Sequence, residues 1–320
     1  MRDIVDFGNV ITAMVTPFQT KNEQIDLDEV ELLANHLLKS GTDSLLLTGS
    51  TGEAHQLSES EREMIISRVR RYTPKGTKII VATSDPNTKK AMARTEKALE
   101  LGADGILVAV PEYIKPEPED LRAHFGAIAQ VANEKPMLIY NIPGRTCREI
   151  LPDDVARIAQ EHPNVIGIKQ SLDNMGKVVE LKEKCPKDFQ IYSGDDGLTL
   201  PMLALGAKGV VSVASHIEGT LISRMIKFFK KDPETAAQIN QLLIPLFNVL
   251  FVQTNPKPVK EALYQKGLIS SPMLRSLQPL RQENKIKLNK VLHNLEIAKR
   301  NFLNTPNRSN LSFAISQDRR

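Results

Sequence analysis

Short apolar runs recur along the first two thirds of the chain, each bounded by turn residues: NVITAMVTPF, DSLLLTG, KIIVATS, GILVAVP, PMLIYNIP, VIGIKQ, FQIYSG and GVVSVA. Between them lie longer stretches such as LDEVELLANHLLKSG, ESEREMIISRVRRY and KKAMARTEKALELG, in which apolar residues recur at three- and four-residue spacing with charges opposite. Short, continuously apolar strands alternating with amphipathic helices describe parallel strands covered on both sides by crossover helices. Eight such units predict a closed (β/α)8 TIM barrel. An open doubly wound sheet is the alternative, and its G-x-G-x-x-G fingerprint does not follow the first run.

An internal echo supports the barrel. HLLKSGTDSLLL, ALELGADGILV and LALGAKGVVSV each read helix, glycine, turn, strand, so Gly41, Gly102 and Gly206 are expected to take the positive φ that ends a helix. After Ala214 the strand pattern stops. Helical periodicity runs from about Ile217 to Asn301, with breaks at Pro233, Pro256, Pro258 and Pro272. The expected organisation is a barrel over residues 1–216 carrying the active site, a C-terminal helical region over 217–301, and a polar tail over 302–320. Asn307-Arg308-Ser309 in that tail matches a glycosylation sequon, which a cytoplasmic chain would not present for modification.

Composition narrows the class. The 320 residues are 41% hydrophobic and 25% charged, which suits an ordinary soluble globular protein. Net charge is only +4, and the basic residues form no cluster interleaved with aromatics, so no nucleic-acid partner is expected. Neither a signal-peptide core nor a long uncharged apolar run is found, which predicts a cytoplasmic protein without a membrane partner. Cys147 and Cys185 lack metal-ligand spacing and the six histidines are scattered, so metal catalysis is not expected and no cofactor is called for.

In such a barrel the chemistry belongs at the C-terminal ends of the strands. Lys169 closes the sixth run, VIGIKQS. A buried ammonium is costly unless paired, so Lys169 either snorkels to water from a strand end or keeps a neutral amine that attacks a carbonyl. Its neighbours at equivalent places are Thr16, the segment Gly49-Ser50-Thr51-Gly52-Glu53, Tyr113, Tyr140, Arg145 and Gly194. TGSTGEAHQLSESER reads equally as an anion site at a helix start or as a helix cap by Ser50 and Thr51 with Glu53 in the first turn. YNIPGRT offers Tyr140 as a proton carrier and Arg145 as a carboxylate fork, or a core tyrosine and a surface arginine. SGDD is a metal site or a pair of capping carboxylates. VPEYIKPEP reads as a loop in which Tyr113 would otherwise pass as a buried aromatic.

Taken in order, TAMVTPF, GSTGE, EYIKP, YNIPGRT, IGIKQS, SGDD and GVVSV resemble the dihydrodipicolinate synthase and N-acetylneuraminate lyase family of class I aldolases, over roughly Val10 to Ala298. The resemblance implies a (β/α)8 barrel with a helical C-terminal region, in tetramers built from tight dimers. It implies Lys169 as the Schiff-base lysine and Tyr140 as proton donor and acceptor. Ser50 matches the relay hydroxyl, with serine where the synthases usually have threonine, and Tyr113 matches the relay tyrosine contributed across the tight dimer. Thr51 and the backbone at Val211 match the pyruvate-binding groups, with Gly194 beside them, and Arg145 matches the arginine for the second substrate's carboxylate.

Within the family, Gly144 and Arg145 followed by SGDD look like the synthase branch, whereas GSTGE is common among the sugar-acid lyases. The implied activity is condensation of pyruvate with L-aspartate 4-semialdehyde in diaminopimelate and lysine biosynthesis. The alternatives are an N-acetylneuraminate or 2-keto-3-deoxy sugar acid lyase and a non-catalytic keto-acid-binding barrel. Lysine-inhibited synthases carry an aromatic residue, an asparagine and a glutamate where this chain has Glu112, Pro86 and Lys90, so weak or absent lysine feedback is expected.

Overall fold

The computed structural model describes residues 5–303, so nearly all of the expected tail, including Asn307, lies outside the described residues. Eight parallel strands close into one barrel in sequence order: β1 (Val10–Ala13), β2 (Ser44–Leu47), β3 (Lys78–Ala82), β4 (Gly105–Ala109), β5 (Met137–Asn141), β6 (Val165–Gln170), β7 (Gln190–Ser193) and β8 (Gly209–Ser212). β8 returns to β1 with Val211 opposite Ile11. Every strand lies in one of the apolar runs, which are continuous because helices cover the outer face and side chains fill the inner one.

The inner face is a packed layer, with Ile11, Leu46, Ile80, Leu107, Leu138, Tyr192 and Val211 buried against one another and Phe7 among them. Phe7 lies beside Gly105, where any Cβ would meet its ring at 2.5 Å and a neighbouring carbonyl at 2.8 Å. That close approach explains a glycine at the start of β4. At the helix-to-strand turns, Gly41, Gly102 and Gly206 have φ of 92°, 91° and 88°, the positive region foreseen for them.

The helix Ser215–Phe229 follows β8 directly and packs against β1 and the helix Leu27–Lys39. It completes the outer ring, so the covering layer continues past residue 216. Helices Pro233–Val249 and Lys257–Gln265 then fold against it, and Gln282–Leu303 packs on those two. Pro233 opens its helix as expected, but Pro245 sits inside that same helix without ending it. The last helix runs to Leu303, two residues past the boundary expected at 301. Among the described residues no helix is long and apolar enough to cross a membrane.

Candidate active site at the C-terminal mouth of the barrel

Lys169 and Tyr140 are directly paired across β5 and β6, and both point into the barrel because period-2 alternation sends their flanking residues outward. Lys169 is 5% exposed and Tyr140 8%. The Lys169 ammonium position lies 4.2 Å from the centre of the Tyr140 ring. Snorkelling to bulk water is therefore not what Lys169 does. Beneath it Tyr192, its partner on β7, donates from Oη toward Gly8 O at 3.0 Å. Burial drives the Tyr192 pKa upward, which keeps its hydroxyl neutral.

Gly194 stands beside the lysine. A Cβ there would meet Lys169 Cε and Cγ at 3.1 Å and collide with Ser171 Oγ, so only glycine leaves the lysine chain its path. Ser171 Oγ is buried and has no hydrogen-bond partner among the described residues. No pattern in the sequence had singled it out. Val211 lies on the inner face of β8, opposite Ile11.

A cavity of about 470 Å³ opens above this floor, lined by Ser50, Glu112, Tyr140, Arg145 and Lys169 among others. Arg62, Arg94 and Arg145 line it together with Asp85 and Glu112, Arg94 being paired with Asp85 at 2.9 Å, a positive balance that favours anionic ligands. Arg145, on the single helical turn Pro143–Thr146 after β5, is exposed and donates from Nη2 to Asn255 O at 3.3 Å. Tyr113 does not reach this cavity. It is 90% exposed with a φ of 71°, so the alternative of a buried aromatic fails.

The segment after β2 is not the helix start on which both expectations placed it. The long helix that follows begins at Glu59 and is capped by Ser58 in a capping box with Glu61, so Ser50 and Thr51 are not its caps. Instead the segment is a loop locked from several sides. Thr16 Oγ1 donates to Gly52 O at 2.7 Å, and Arg62 Nη2 donates to Ala54 O at 2.5 Å. Burial lowers the Arg62 pKa to about 10, still charged near neutrality. Glu53 adopts the left-handed conformation, φ 55°, and its carboxylate receives Lys260 Nζ at 2.5 Å in a pair that is 1% and 0% exposed. Burial lowers the Lys260 pKa while the Glu53 charge opposes the shift.

SGDD meets its second alternative, a pair of capping carboxylates, at Asp195 alone. Asp195 Oδ1 accepts from Gly197 N at 2.8 Å as a cap. Asp196 is buried and accepts from the Ser212 hydroxyl and from Val213 N and Ala214 N at 3.1 and 3.0 Å, fixing the turn after β8. Burial raises the Asp196 pKa against those donors.

The fold and this mouth define a class: a (β/α)8-barrel enzyme with a buried lysine, a tyrosine and an arginine gathered at the strand ends. Comparison with known proteins identifies which. Residues 6–295 match the Dihydrodipicolinate synthetase family, and the chain belongs to it. A 4-hydroxy-tetrahydrodipicolinate synthase of Cyanothece sp. is 45% identical over 265 residues, 82% of this chain and 90% of that one. One from Listeria monocytogenes is 40% identical over 91% of this chain and 99% of its own. Among solved structures, the Methylacidiphilum fumariolicum synthase superposes with a TM-score of 0.89 at 37% identity, covering 93% and 99% of the two chains. A Cyanidioschyzon merolae enzyme solved with lysine bound gives 0.88 at 38% identity, covering 91% and 98%.

Proposed function

We propose that this enzyme condenses pyruvate with L-aspartate 4-semialdehyde to give 4-hydroxy-tetrahydrodipicolinate, the reaction named for its relatives. The observation that carries the reading is the pairing of buried Lys169 with Tyr140 under a cavity whose rim holds Arg145.

Neutral Lys169 attacks the pyruvate ketone while Thr51 and backbone N–H groups near Val211 hold the carboxylate. Tyr140 passes protons through Ser50 and Tyr113 as the carbinolamine loses water to the imine. The same tyrosine accepts a proton from the pyruvyl methyl group, and the imine nitrogen takes up the electron pair as an enamine forms. The enamine carbon attacks the aldehyde, whose distal carboxylate pairs with Arg145. The adduct's own amine then displaces Lys169, closing the ring and returning the lysine; one water is lost overall.

Tyr113 joins this relay from a neighbouring copy. Its outward ring and its distance from the cavity of its own chain support that assignment. A tight dimer is then the catalytic unit, and we assign a homotetramer of such dimers, in the cytoplasm, where free Cys147 and Cys185 suit a reducing environment. Lysine feedback is weak or absent. Lys90 lines a second cavity with Arg62, Arg94 and Lys97 against Glu59 and Glu63, a net positive lining that disfavours an incoming lysine.

The test is turnover of pyruvate with aspartate semialdehyde, alone and with added lysine. Wild-type turnover and little inhibition by millimolar lysine are expected. Arg145→Ala should lose about 10- to 100-fold in kcat/KM for the semialdehyde, the worth of a charge-assisted hydrogen bond. Unchanged kcat/KM in that variant would refute the role of Arg145 and the choice of second substrate.

A further inference from the structure

Asn255 lies in the segment that leads into the helix Lys257–Gln265, far from the strand ends in sequence, and is 6% exposed. Its Nδ2 donates to Thr51 Oγ1 at 2.8 Å. Its own carbonyl accepts from Arg145 Nη2 at 3.3 Å. One residue thus touches the loop after β2 and the turn after β5, the two places assigned above to the carboxylates of different substrates. Its Oδ1 has no partner among the described residues.

The direction of the Thr51 contact has a chemical consequence. A hydroxyl has one hydrogen to donate and two lone pairs. Because Asn255 Nδ2 donates into a Thr51 lone pair, the Thr51 hydrogen is not used up by Asn255. A carboxylate is acceptor-only and needs that hydrogen. An acceptor in place of Nδ2 would draw it away and leave a lone pair facing the ligand.

On the proposed function, in which Thr51 binds pyruvate, we infer that Asn255 is a positioning residue that sets the hydrogen-bond direction of Thr51, so that its hydroxyl donates to the substrate carboxylate. It acts through Thr51 and touches no reacting atom.

The experiment is borohydride trapping of the pyruvate imine over a range of pyruvate concentrations, on full-length wild type, Asn255→Asp, Asn255→Ala, Thr51→Val and Thr51→Val/Asn255→Asp. Thermal midpoints are recorded in parallel. Aspartate keeps the shape of asparagine but turns the donor into an acceptor, whereas alanine removes the group and leaves a hole. Asn255→Asp should need at least about 10-fold more pyruvate for half-maximal trapping, and more than Asn255→Ala needs. Alanine should give the lower thermal midpoint of the two where only packing is concerned.

Adding Asn255→Asp to Thr51→Val should change half-saturation little, because the residue through which it acts is already gone. A wild-type concentration dependence in Asn255→Asp overturns the inference. So does alanine proving worse than aspartate for pyruvate, or a full effect of Asn255→Asp on the Thr51→Val background, which would mean simple charge repulsion. Should the aspartate variant not fold, Asn255→Ala alone and combined with Thr51→Val supplies the same cycle. Absence of any trapped imine in the wild type would instead refute the Schiff-base reading beneath the inference.

Discussion

Two loops at the mouth of the barrel carry hydroxyls assigned to the same proton relay, and they are built in opposite ways. The loop after β2, with Ser50 and Thr51, is held by Thr16, Arg62, Asn255 and the buried Glu53–Lys260 pair. The loop after β4, with Tyr113, has Tyr113 and Lys115 at φ of 71° and 48° and presents its tyrosine to solvent. The first is preorganised by its own chain, which places binding groups without reorganisation at the moment of reaction. The second holds a sparsely populated backbone conformation around an outward aromatic, an arrangement that gains a purpose when a second copy covers it.

The largest expected effect comes from unlocking the first loop. Replacing one member of a fully buried ion pair leaves the other charge without compensation, at about 3–5 kcal/mol. Lys260→Met or Glu53→Gln alone should therefore lower the thermal midpoint markedly, while the double variant should recover much of the loss. Calorimetry of the three variants checks this, and equal midpoints for single variants and wild type would show that the pair does not hold the loop.

For the second loop, Tyr113→Phe should reduce kcat by about 100-fold, the lower range for a lost proton carrier, without changing the thermal midpoint. The sharper test is complementation. Tyr113→Phe and Lys169→Ala subunits, refolded together, should regain about a quarter of wild-type activity, because half of the mixed dimers' sites take an intact lysine from one chain and an intact tyrosine from the other. No regained activity would confine Tyr113 to its own chain.

The last effect is absent at neutral pH and emerges only in acid. His216 is buried between the ends of β1 and β8, where Nδ1 meets Val213 O at 2.8 Å and Nε2 accepts from Val15 N at 3.2 Å. Burial holds its pKa down to about 4. Since the unfolded value is about 6.5, the neutral form is favoured in the fold. This contribution is complete above pH 6.5 and is lost as pH falls toward 4, up to about 3 kcal/mol. His216→Gln should flatten that slope in a denaturation series across the same window, and an unchanged slope would show that other groups set it.

Much of this was legible beforehand because it rests on periodicity and on strand ends. The eight apolar runs hold the eight strands, and Lys169, Tyr140 and Gly194 gather at one mouth because parallel strands of a barrel all end on one side. In the loop after β2 the cap, one of two equal readings, fails: Ser50 and Thr51 are good capping residues by type, but a stronger capping box lies at Ser58 and Glu61. Asn255 and Lys260 escaped notice altogether. Their roles depend on contacts with residues more than 200 positions away, and no local spacing reports such a contact. The asparagine-proline step at Asn255 is the one local hint in that stretch, since Lys260, with Glu261 beside it and Lys257 three residues before, reads as an ordinary helix-surface lysine.

The most direct test of the central claim is to incubate the protein with pyruvate, reduce with borohydride, and map the added mass by peptide analysis. A pyruvate-derived adduct on Lys169 alone, absent from Lys169→Ala, is the expected result. Pyruvate binding with no adduct, or an adduct on another lysine, would contradict the assignment of Lys169 as the nucleophile.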